Sequence, residues 1–187
     1  MEDAEIIRQI LAGCHEQYAV LVERYQESLI HFLRRILGSE EDVLDCAQEA
    51  FLAAYRNLNR YSKEYPFRAW LYAIARNKAL DLHRKRRKEI LISIDENLVD
   101  HQPWPEDILV EKEQASMLAD VLLELPEQYT QALYLRYHQE LSYKEIALVL
   151  EIPVSRVKTY LHRGKEKLRQ CLERREIHSG EGKPAME

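Results

Sequence analysis

An all-α fold of two small domains is what the sequence predicts, on three observations. Leu, Ala, Glu, Arg, Lys and Gln dominate the 187 residues while Gly occurs five times and Pro six, a composition that favours helices over turn-rich β architecture. Apolar residues recur three and four apart over long stretches. Between about Ile90 and Pro105 that period is lost among Asp95, Asn97, Pro103 and Pro105, which reads as a linker.

The elements follow in order. Helical spacing runs from Ile6 to Leu37, with Gly38 as a stop and Ser39 as the next N-cap. The helix after Ser39 extends to about Leu58 and buries Val43, Ala47, Ala50, Phe51, Ala54 and Leu58. Asn59 to Tyr65 is aperiodic, and Pro66 suits the first turn of a helix reading through to about Lys88. Helical pattern resumes near Glu106, breaks at Pro126 and continues in three segments to about Arg175. The expected division is therefore a first domain over 1–89, a linker over 90–105, a second domain over 106–176 and a disordered tail over 177–187.

A net charge of -5 hides strong segregation. Eight bases against one acid between Arg68 and Lys88 give +7; one base against eleven acids between Glu89 and Glu127 gives -10; nine bases against four acids between Leu141 and Arg175 give +5. Two basic blocks flanking an acidic stretch imply two polyanion-facing surfaces joined by a segment that repels polyanions. No apolar run approaches the roughly 20 residues of a bilayer span, and the acidic start lacks a signal-peptide core, so a cytoplasmic location is expected. Cys14, Cys46 and Cys171 are odd in number and widely spaced, which predicts buried or idle thiols and neither a disulfide framework nor a metal site. Walker, dinucleotide and nucleophile-elbow patterns are absent, so neither a cofactor nor enzymatic activity is expected.

The clearest motif is LSYKEIALVLEIPVSRVKTYLHRGKEKLR, residues 141–169. Ser142 and Glu145 have capping-box spacing, Pro153 ends the first helix, and Ser155 is placed to cap a second. On that second helix Val157, Leu161, Gly164, Leu168 and Leu172 form the core stripe. Its other side carries Ser155, Arg156, Lys158, Thr159, His162 and Arg163, donors suited to phosphates and major-groove base edges. This is the pattern of a helix-turn-helix. An amphipathic hairpin with a merely solvated charged side would show the same periodicity.

The wording of the sequence decides between them. Residues 125–169 closely resemble region four of the extracytoplasmic-function sigma factors of bacterial RNA polymerase, through Leu125-Pro126, Tyr143, Glu145-Ile146-Ala147, Ile152-Pro153, Val157-Lys158 and Leu161-His162-Arg163. The resemblance implies binding of the minus 35 promoter element and of the polymerase β flap. Ser155-Arg156 stands where that family usually has Gly-Thr, so the bases read there are this chain's own matter.

On the helix after Ser39, Asp45, Gln48, Glu49, Leu52 and Arg56 gather opposite the buried stripe, an apolar centre in a charged rim. The string DCAQEAFLAAY resembles sigma region two, which implies that Asp45, Gln48, Glu49 and Leu52 dock on the β-prime clamp helices of core RNA polymerase. In RYSKEYPFRAWLYAIARNKALDLHRKRRK, Phe67, Leu71, Ile74, Ala75 and Leu82 share a core face. Tyr61 and Tyr65 lie off it, as candidates for stacking on unpaired bases at about 1 to 3 kcal/mol each. FRAWLYAIARNKALDLHR is the most specific match in this half, and implies minus 10 strand contacts by Tyr61, Tyr65, Arg76, Asn77, Arg84 and Arg87.

The resemblance spans about Tyr18 to Leu172. It implies the minimal two-domain plan of the group, promoter DNA and core polymerase as partners, a linker directed toward the active-site channel, and control by a membrane-associated anti-sigma factor. A plain helix-turn-helix repressor would share the second domain but has no use for the DCAQEAF helix. A helical nucleic-acid-processing enzyme would need a carboxylate or His constellation that does not stand out.

Overall fold

The computed structural model describes residues 2–92 and 125–180, with side chains for 2–85 and 125–174. Every regular element among them is helical. In chain order these are α1 (Asp3–Leu11), a 3-10 turn at His15–Gln17, α2 (Tyr18–Leu33), α3 (Glu40–Arg56), a 3-10 turn at Leu58–Arg60, α4 (Phe67–Ile92), α5 (Glu127–Leu133) running into a π-helical turn at Tyr134–His138, α6 (Tyr143–Leu150) and α7 (Val154–Gly180).

The first domain packs α1 to α4 around one core. Phe32, Phe67, Leu71 and Tyr72 are fully buried in it, with Ile6, Leu21, Leu29 and Leu33. Each such side chain contributes about 1.5–3 kcal/mol from burial alone. All six residues expected on the inner stripe of α3 and its continuation, Val43 to Leu58, are buried. The stretch read as continuous from Ile6 to Leu37 is broken instead at Gly13, whose φ of 106° lies in the left-handed region that glycine enters without a Cβ penalty. The break lets α1 fold back on α2, where Asp3 accepts from Arg24 and from the Tyr25 hydroxyl. α2 stops at Leu33, before Gly38, and a turn through Arg34 to Ile36 buries Ile36 and Leu37. Ser39 is the N-cap of α3 as expected, although its side chain makes no capping bond.

In the second domain the capping box of α6 is formed: Glu145 N donates to Ser142 Oγ at 3.3 Å and Ser142 N donates to Glu145 Oε2 at 2.7 Å. Ser142→Ala should cost about 1 kcal/mol, read as a lower denaturant midpoint at unchanged m-value. α7 starts at Val154, one turn earlier than a Ser155 cap requires; Pro153 O accepts from Arg156 N and Val157 N, and Ser155 sits inside the first turn. The core stripe of α7 is as expected, with Val157, Leu161 and Gly164 buried, and Cys171 joins it.

Gly164 is there for close approach. A Cβ on it would meet Leu133 Cδ1 at 3.1 Å and Tyr129 Cβ at 3.3 Å, so α5 and α7 touch across a residue without a side chain. Gly164→Val should overpack this crossing and lower stability by about 1–3 kcal/mol, measurable by chemical denaturation.

Two boundaries differ from expectation. α4 continues as helix through Ile90, Leu91 and Ile92, and α7 continues to Gly180. The remainder of the expected linker and the pattern resuming near Glu106 lie outside the described residues, as do 181–187 of the expected tail. The two domains pack against each other, chiefly α4 against α6.

Candidate polymerase and nucleic-acid interfaces

The outer face of α3 is built by helical spacing alone. With Val43, Ala47, Ala50 and Ala54 turned inward, Asp45, Gln48, Glu49 and Leu52 are all exposed, Leu52 to 39%. Leu44 and Tyr55 are exposed too, at 50% and 36%, and with Gln48 and Leu52 they lie along one line of the helix. The sequence reading missed Leu44 and Tyr55, although their spacing from Leu52 carries the signal. Tyr55 is held by Tyr18, with ring centroids 4.9 Å apart, and Tyr18 in turn donates to Phe51 O at 2.6 Å.

Behind this face a cavity of about 520 Å³ opens between α3 and α4, lined by Asp45, Cys46, Glu49, Lys78, Asp81, Leu82, Arg84 and Lys85. One wall is acidic and the other largely basic. Lys78 Nζ pairs with Glu49 Oε2 at 3.0 Å across it, an exposed bridge worth little to stability. The Cys46 thiol lies on Ala75 O at 3.7 Å, and burial pushes its pKa up to about 11. It is an inert packing thiol, as the spacing of the cysteines implied.

The aromatic-basic segment is distributed along α4 rather than gathered at one point. At its start Tyr61 packs on Phe67 and Trp70, with centroids at 5.9 and 5.3 Å, and donates to Tyr65 O at 2.7 Å. Tyr61, Tyr65 and Trp70 are each half-buried, so one flank of this cluster is core and the other is open. Trp70 belongs to the open cluster and was not singled out from sequence. At 1.5 Å per residue, Arg84 lies about 25 Å further along the helix axis than Phe67. Arg84 is exposed and pairs with Asp81 at 3.1 Å; the Arg87 side chain lies outside the described residues. Between these ends, Arg76 and Asn77 face the second domain. Asn77 Nδ2 donates to Glu151 Oε1 at 2.8 Å. Arg76 is half-buried, its Nε without a hydrogen-bond partner, and desolvation lowers its pKa against the pull of Glu151 and Glu127.

On α7 the six candidate reading residues, Ser155, Arg156, Lys158, Thr159, His162 and Arg163, are all exposed. Thr159 Oγ1 donates back to Ser155 O at 3.1 Å, which fixes its methyl outward. His162 lies 4.0 Å from Glu166. The turn before α7 is unusual in one respect: Glu151 caps α6 with φ 52°, ψ 44°, a left-handed conformation ordinarily left to Gly or Asn.

Fold and surfaces together define a class, an all-helical, two-domain protein that carries a helix-turn-helix on one domain and an acidic, apolar-centred helix on the other. Residues 21–89 match Sigma-70 region 2, and residues 115–168 match Sigma-70, region 4. The chain is 34% identical over 176 residues to the ECF RNA polymerase sigma factor SigW of Bacillus subtilis, covering 89% of this chain and 94% of that one. It is 30% identical to an ECF RNA polymerase sigma-E factor of Haemophilus influenzae, over 89% and 93% of the two chains. Among solved structures, CnrH in complex with the cytosolic domain of CnrY is similar at a TM-score of 0.65 and 27% identity, over 91% of this chain and 97% of that one. The sigma factor RpoE of Bartonella quintana, solved with the anti-sigma factor NepR, shares the fold at a TM-score of 0.66 and 18% identity, over 84% and 98%. The chain belongs to the extracytoplasmic-function sigma factors of RNA polymerase. It directs promoter-specific transcription initiation.

Proposed function

We propose a division of labour for this sigma factor in which three surfaces act in turn. Asp45, Gln48, Glu49 and Leu52, extended by Leu44 and Tyr55, dock on the β-prime clamp helices of core polymerase. Tyr61, Tyr65, Arg76, Asn77, Arg84 and Arg87 hold the opened minus 10 strand, the aromatics by stacking and the bases through phosphates. Ser155, Arg156, Lys158, Thr159, His162 and Arg163 read the minus 35 duplex in its major groove, while the second domain also meets the β flap. The first domain occupies 1–89 and the second 106–176, with 90–105 linking them.

The observation that carries this reading is that the acidic α3 face and the basic α7 face are both fully solvent-exposed on one chain while their opposite stripes are core. No nucleotide hydrolysis is required, because strand opening draws on binding energy; the chain is an initiation factor and not an enzyme. No helix among the described residues is long and apolar enough to cross a membrane, and the protein acts in the cytoplasm. Control by a membrane-associated anti-sigma factor fits the relatives, two of which were solved with inhibitory or cytosolic partner domains.

Run-off transcription with core polymerase on genomic DNA, sequenced at the start sites, tests the whole scheme. A shared pair of upstream motifs spaced for two domains is the expected result. Random starts would refute it.

A further inference from the structure

The two domains are joined by a buried anchor that neither domain needs for its own fold. Tyr134 projects from the π-helical turn after α5 and is 6% exposed, yet its principal partners belong to the first domain. Its hydroxyl donates to Ser28 O at 2.9 Å, its ring stacks on Phe32 with centroids 6.1 Å apart, and the Arg35 guanidinium lies 3.9 Å from the ring centroid. From its own domain, Gln139 Nε2 donates to the hydroxyl at 3.1 Å and His138 stacks behind at 4.7 Å. π-Helical turns inside helices recur at functional sites, and here the turn aims the side chain out of its own domain.

A second contact lies on α4. Glu151 holds a left-handed backbone conformation unfavourable for a residue with a Cβ, and its carboxylate accepts from Asn77. Strain of this kind is retained where the surrounding contacts fix it. Glu151 and Glu127 both act electrostatically on Arg76. The two α4 residues assigned to the opened strand are thus met by carboxylates of the second domain, in the way phosphates would meet them.

We propose that this chain masks its own strand-binding surface: Tyr134 in its socket and Glu151 on Asn77 latch the second domain over Arg76 and Asn77, so strand capture requires the domains to part. The inference rests on the assignment of Arg76 and Asn77 to the minus 10 strand. The latched form leaves Asp45, Glu49 and Leu52 on α3, and Lys158 and Arg163 on α7, exposed. Docking on polymerase therefore precedes opening, and strand holding follows it. The buried Tyr134 socket is the main anchor, and the solvent-exposed Glu151 contact fixes which part of α4 is covered.

The test uses the full chain as wild type, Glu151→Gly, Tyr134→Ala and the double variant. Two quantities are read: radius of gyration by small-angle scattering, and affinity for a labelled mixed-sequence single-stranded DNA by fluorescence anisotropy. Glycine suits the left-handed position, so Glu151→Gly keeps or raises the melting temperature and serves as the decisive variant if Tyr134→Ala folds poorly. The expected result is an expanded chain and, for a latched form open about one-tenth of the time, an affinity gain of about tenfold in the double variant. Unchanged dimensions in every folded variant would overturn the latch. Expansion with no gain in affinity would overturn the masking by showing that Arg76 and Asn77 are not the strand surface, while separating that failure from a failure of the contact itself.

Discussion

Replacing Asp45 and Glu49 together with Lys will abolish retention of the chain on core polymerase and leave it folded. Both carboxylates stand on the solvent side of α3, so reversal disturbs no buried atom. The one fixed partner lost is Lys78, whose 3.0 Å bridge to Glu49 is exposed and contributes at most about 1 kcal/mol. At a docked interface the same reversals place two like charges against a partner selected for complementarity, where each close charge pair is worth about 1.5 to 7 kcal/mol. Losing even about 3 kcal/mol across the pair weakens binding more than a hundredfold. Size-exclusion co-elution with core polymerase gives the first readout and circular dichroism melting the second. Co-elution at wild-type levels would remove α3 from the interface. A shift in melting of more than a few degrees would mean the face is structural.

How much of this was legible in the sequence depended on the range over which each feature is determined. The inner stripes of α3 and α7 and the capping box at Ser142 are local, since 3.6-residue periodicity and a three-residue spacing specify them, and each was found where expected. Gly13 was missed because apolar spacing continues across it, and only its φ of 106° reveals the turn. Ser155 was misplaced as a cap because Pro153, lacking an N–H, starts the helix one turn sooner through its carbonyl. The exposure of Leu44 and Tyr55 was within reach of the same helical arithmetic that found Leu52. The contact of Tyr134 with Ser28 was not, because it joins residues 106 apart and no local pattern encodes it. Asn77 illustrates the difference: sequence placed it in a strand-binding segment, and only tertiary packing puts Glu151 against it.

Replacing Lys158 and Arg163 with Ala will cut promoter-specific transcription by about two orders of magnitude and leave core binding within about twofold of wild type. The two side chains are five residues apart on α7, near opposite edges of its exposed face, with Val157 and Leu161 turned into the core between them. Removing both therefore empties the face without touching the stripe that holds it. A specific base contact is worth about 1–3 kcal/mol, and a phosphate contact adds a counterion-release dependence of about one unit in the salt slope. Two such losses sum to about 3 kcal/mol at the low end of a base-plus-phosphate pair, which is the hundredfold expected. The salt dependence of promoter binding separates the two roles. If Arg163 alone reads a base, Arg163→Ala will relax sequence preference at one position without flattening the slope, whereas Lys158→Ala, as a phosphate contact, will flatten it without changing preference. Equal transcription from wild type and the double variant would place the reading face elsewhere. That result would shift attention to Arg156, which stands exposed one residue after Ser155 and is a departure from the family pattern.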